Sequence, residues 1–64
     1  MSTQSGKSEV YIEFHPIGRQ VKVTAVDATT GVEVSIMGPS TASQADLQTL
    51  AIRKLQRRLE QLQG

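Results

Sequence analysis

Residues 9–39 read EVYIEFHPIGRQVKVTAVDATTGVEVSIMGP. The fold turns on whether this stretch is one alternating ribbon folded back on itself twice. From Glu9, Val10, Ile12 and Phe14 alternate with Tyr11, Glu13 and His15, the period of a strand with one apolar face. Pro16-Ile17-Gly18 reads as a turn, because proline removes a ladder donor and glycine opens unusual backbone angles. A second strand runs from Arg19 to about Asp27, with Val21, Val23 and Ala25 on one side and Gln20, Lys22, Thr24 and Val26 on the other. Asp27-Ala28-Thr29-Thr30-Gly31 is a hairpin signal: the aspartate can bond the turn backbone and the glycine can take a left-handed conformation. A third strand from Val32 to about Gly38 turns Val32, Val34 and Ile36 to the apolar side, opposite Glu33, Ser35 and Met37.

The faces agree when the strands are laid side by side. Pairing Phe14 with Val21 sets Ile12 against Val23 and Val10 against Ala25. Pairing Val23 with Val34 sets Val21 against Ile36. The same register places Glu13 beside Lys22 and Thr24 beside Glu33 on the polar face. A slip of one residue would bring apolar side chains to both faces. Gly38-Pro39 then ends the sheet.

Ser43 has the form of a helix N-cap, with Asp46 three residues on as a variant capping box and a favourable charge for the helix dipole. A helix is expected from Gln44 to about Leu62. At roughly 100° per residue, Leu47, Ala51, Leu55, Leu59 and Leu62 form one stripe, with Ile52 at its margin and Leu50 outside it. The spacing predicts an α+β domain over residues 9–64: a three-stranded antiparallel meander with one C-terminal helix on one face (βββα). Residues 1–8, MSTQSGKS, are polar and read as a disordered tail.

A chain of 64 residues buries only about 60% of the surface its unfolded form exposes. There are no cysteines and one histidine, so neither disulfides nor a thiolate metal site can add stability. Self-association remains as a source of further burial. The lack of cysteine fits a reducing cytoplasm. The net charge of +1 gives no overall field to draw the chain to nucleic acid or membrane. No apolar run approaches the roughly 18 residues of a membrane span.

Charge is concentrated locally. IRKLQRRLEQL, residues 52–62, carries Arg53, Lys54, Arg57 and Arg58. On the helical wheel Arg53, Lys54 and Arg57 point away from the leucine stripe, and Arg58 lies on its shoulder. Cations near a helix C-terminus complement its dipole, so a solvated helix face explains them. Phosphate binding is the sharper alternative, but no aromatic platform accompanies the cations. Leu50 lies beside Lys54 and Arg57, off the core stripe, and Leu50, Arg53, Lys54, Arg57 and Arg58 together form a candidate interaction surface. Ile17, Val26 and Met37 are further apolar residues off the core face, and some of these are expected to meet across a homodimer. The open edges of the outer strands offer a second route.

Catalytic chemistry is not expected. His15, Glu13 and Ser35 share the polar sheet face, but an open sheet neither excludes water nor builds an oxyanion hole. Gly38-Pro39-Ser40-Thr41 precedes a helix but lacks a phosphate-loop lysine, and Asp46 disfavours an anion there. No cofactor is expected. The reading is a non-enzymatic protein–protein interaction module that self-associates, with weak nucleic-acid binding through the basic helix face as the alternative.

The segments Glu9 to Phe14 (E-V-Y-x-E-F), Val21 to Asp27 (V-K-V-T-A-x-D) and Thr30 to Pro39 (T-G-x-E-V-S-I-x-G-P), followed by the AIRKL helix segment, resemble a family of small, uncharacterised proteobacterial proteins. The resemblance covers nearly the whole chain after the tail. It implies a bacterial cytoplasmic protein with no assigned activity and brings no catalytic residues. The strand-strand-strand-helix order is also similar to the latter part of double-stranded RNA-binding domains, in layout only. Those domains place lysines at the start of the last helix, where this chain has Ser43-Gln44-Ala45-Asp46.

Overall fold

The computed structural model describes residues 9–63; the expected tail at 1–8 lies outside them. Alternation produces three strands, β1 (Val10–Ile17), β2 (Gln20–Asp27) and β3 (Glu33–Pro39), followed by the helix α1 (Gln44–Gln63). The sheet is an antiparallel meander in the order β1-β2-β3.

The first turn is tighter than the sequence reading placed it. Pro16 and Ile17 belong to β1, and only Gly18 and Arg19 remain as the loop. Gly18 has φ +61°. A positive φ at the first central position alone is the type II′ pattern, whose twist suits the flanking strands. The second turn uses Asp27 as expected. Its Oδ2 accepts from the Thr30 backbone N–H at 3.0 Å and from the Thr30 hydroxyl at 2.7 Å. The Gly31 N–H donates to the Asp27 carbonyl at 2.7 Å, and Gly31 takes φ +78°. Asp27 is 1% exposed while Thr30 is exposed, so losing the carboxylate would cost about 1.5–3 kcal/mol, the worth of a hydrogen bond to a charged group.

These turns correct the expected register. Phe14 faces Val23, Ile12 faces Ala25 and Val10 faces Asp27. Val23 faces Ile36, Ala25 faces Val34 and Val21 faces Gly38. Each pairing is two residues from the expected one. A shift of two preserves the faces, because side chains alternate with period two. The cross-strand partners do change. Glu13 stands opposite Thr24 and not Lys22, and Thr24 stands opposite Ser35 and not Glu33.

The helix forms as its cap predicts: the Ser43 Oγ accepts from the Asp46 N–H at 3.1 Å. Its inner face buries Leu47, Ala51 and Leu55 against Val21, Val23, Ala25 and Val34. Gly38 is part of this packing. A Cβ built there would lie 2.5 Å from Leu47 Cδ2, so the bare backbone is what lets the helix start settle on β3. Two expected core residues do not join. Leu62 is 57% exposed and Val10 is 37% exposed. Leu59 is partly buried against the core, but the helix has run past the sheet by its last turn.

Candidate interaction surfaces

The helix packs across β2 and β3 and barely reaches β1. Its flanks therefore differ. On the β3 side, Lys54, Arg57, Arg58 and Gln61 descend toward Val34 and line a cleft of about 380 Å³. Three of the four expected cations converge there. Arg53 does not line the cleft, and Leu50, half-exposed, sits a turn nearer the helix start. The Lys54 Nζ donates to the Ser35 carbonyl at 2.8 Å.

That bond has meaning because of the ladder. The Asp27 N–H donates to the Val32 carbonyl at 2.9 Å, which marks Asp27 and Val32 as a bonded pair. Bonded and non-bonded pairs alternate along an antiparallel ladder. In the observed register Val34, Ile36 and Gly38 therefore bond inward to β2. Glu33, Ser35 and Met37 turn their backbone groups to the open edge. Lys54 covers one of those outward carbonyls, and Pro39 offers no N–H at the strand end. Lysine and proline are both recognised guards of sheet edges.

On β1 the same alternation leaves a different edge. The Ala28 N–H donates to the Glu9 carbonyl at 2.9 Å. Tyr11, Glu13, His15 and Ile17 therefore bond to β2, while Val10, Ile12, Phe14 and Pro16 face outward. Pro16 lies where its missing N–H interrupts no bond with β2. No side chain among the described residues hydrogen-bonds the outward groups of Val10, Ile12 and Phe14. Ile12 and Phe14 are only partly buried, since the helix lies over the other two strands.

The face away from the helix is bare among the described residues. It carries Tyr11, Glu13, His15 and Ile17, then Lys22, Thr24 and Val26, then Glu33, Ser35 and Met37. Ile17, Tyr11 and Met37 are more than half exposed. Leu50 is on the helix and cannot share a patch with them. Thr24 is nonetheless 5% exposed, held at the centre of the sheet with its hydroxyl 3.0 Å from that of Ser35. His15 Nε2 lies 3.1 Å from Glu13 Oε1, with both side chains more than half exposed. Ser35 is bonded to Thr24, with β2 between it and His15, so the residues of the conceivable Ser/His/Glu arrangement are not brought together. The Tyr11 hydroxyl donates to Glu9 Oε1 at 3.1 Å. That bond, and then the carboxylate's charge, raise the phenol pKa above its ordinary value.

A family model described as a domain of unknown function, DUF6898, matches residues 7–62. The chain belongs to this family. The matched span takes in all three strands and nearly all of the helix. No curated protein and no solved structure matches the chain. No helix among the described residues is long and apolar enough to cross a membrane.

The sequence reading found the basic helix flank and Leu50. It missed the contrast between the two sheet edges. Lys54 reaching Ser35 depends on the helix crossing angle, which no periodicity encodes. The outward set on β1 depends on which cross-strand pairs are bonded, as the Ala28 N–H to Glu9 carbonyl bond shows, and the alternation of side chains does not assign bonded and non-bonded pairs.

Proposed function

We propose that this chain is a non-enzymatic protein–protein interaction module that works as a self-associated homodimer in the cytoplasm. The observation carrying this reading is the placement of the helix over β2 and β3 only. One strand is left with Ile12 and Phe14 half-buried, and a whole sheet face has no covering layer among the described residues. A small domain with so modest a core gains stability by sharing apolar surface with a second chain. Sedimentation equilibrium over a range of concentrations tests it. A mass twice that of the chain is expected, and a monomer at millimolar concentration contradicts it.

The convergence of Lys54, Arg57 and Arg58 on one cleft favours a second reading, weak nucleic-acid binding. Two features weigh against it. Lys54 is already engaged by Ser35, and Glu33 projects from the neighbouring strand. Salt titration against DNA and RNA separates the readings. Binding that fades steeply with salt and falls on Arg57→Glu supports nucleic acid, and no binding at low salt removes it.

A further inference from the structure

We infer that the partner of β1 is β1 of a second copy, paired antiparallel about a two-fold axis at Ile12, so that two three-stranded sheets become one of six strands. This rests on the self-association proposed above and names its surface and register. Three observations select the edge. Among the described residues the outward backbone groups of Val10, Ile12 and Phe14 have no side-chain partner, whereas β3 has Lys54 on its Ser35 carbonyl and ends in Pro39. The apolar side chains left half-covered by the helix lie on β1. Pairing β3 with its own copy would bring Lys54, Arg57 and Arg58 of both chains together, a repulsive arrangement.

The register follows from charge and from Pro16. With the axis at Ile12, Val10 bonds to the second copy's Phe14 and Ile12 to its own counterpart, so all the free groups on residues 10, 12 and 14 are used. On the helix side valine meets phenylalanine and isoleucine meets isoleucine. On the bare face Glu9 stands opposite His15, and Tyr11 opposite Glu13, with no like charges face to face. Moving the axis to Tyr11 opposes Glu9 to Glu13. Moving it to Glu13 opposes that residue to itself. Both are unfavourable cross-strand pairs. Moving it to Phe14 sets Ile12 against Pro16, which has no N–H to give. An in-plane antiparallel join keeps both helices on one side of the enlarged sheet and leaves both guarded β3 strands at its ends. Closure is then complete at two copies.

Amide hydrogen exchange on the full chain, read residue by residue alongside the sedimentation mass, tests the inference. The expected result is a dimer in which the amides of Ile12 and Phe14, and of Val10 at the strand start, gain protection as concentration rises, while those of Glu33, Ser35 and Met37 do not. A charge exchange tests the register. His15→Glu places carboxylates opposite Glu9 twice per dimer and should weaken dimerisation about tenfold, from two unfavourable pairs. Adding Glu9→Lys should restore it. A dimer whose residue 10, 12 and 14 amides exchange freely, or one indifferent to His15→Glu, overturns the inference and leaves self-association standing. A monomer at millimolar concentration overturns both.

Discussion

Tyr11 on β1 and Glu9 just before the strand are two positions apart, and their side chains meet at 3.1 Å. The phenol donates to the carboxylate and its ionised form is opposed by the same charge, which raises its pKa. The sign follows. Loss of the proton removes the donor and sets two negative charges side by side. Whatever the contact contributes is present below the ordinary tyrosine value and is lost as pH rises through the raised one. Ultraviolet titration should place the Tyr11 midpoint above that of a free tyrosine, and Glu9→Gln should bring it down. A midpoint unmoved by Glu9→Gln would remove the hydrogen bond from the description. Other single residues were readable from the sequence for similarly local reasons. Ser43 caps the helix and Asp27 ties its turn because each bonds backbone only three residues away.

At the scale of elements, legibility ends where the turns begin. All three strands and the helix were present in the alternation and the leucine spacing, and every face assignment on β2 and β3 survived. The pairings did not, because a shift of two residues leaves both faces unchanged and only loop geometry distinguishes the alternatives. Assigning Pro16 and Ile17 to a turn was the source of the first error; an edge strand tolerates proline where its nitrogen faces outward. What matters for function is the alternation of bonded and non-bonded pairs, because it decides which backbone groups are free on each edge. Lys54 is then an edge guard and more than a solvated charge. Lys54→Ala should leave the helix intact, since the side chain is exposed, but open β3 to pairing. Species larger than a dimer should appear in sedimentation velocity as concentration rises. An unchanged distribution would show that the Ser35 carbonyl needs no cover.

For the whole molecule the decisive mismatch is between helix and sheet. The helix has 20 residues and the strands 7 or 8, so α1 spans about 30 Å against about 26 Å for the longer strands. A single helix is also only about 10 Å wide, and strands lie about 4.8 Å apart, so it can cover two strands well and a third poorly. Leu62 overruns the sheet and β1 is left half-covered for these reasons. Composition showed that the core would be small. It could not show which strand would go short, because that depends on which flank of the helix settles toward β3, where Gly38 admits Leu47.

The claim that β1 is the incomplete side can be measured with one substitution, because the chain contains no cysteine. In the proposed dimer Ile12 faces its own counterpart in a hydrogen-bonded pair, where Cα atoms lie about 5.5 Å apart, inside the disulfide range of roughly 4.4–6.8 Å. Under mild oxidation at micromolar concentration, Ile12→Cys should convert to a covalent dimer far faster than Met37→Cys on β3. Equal, slow rates for the two variants would contradict the account.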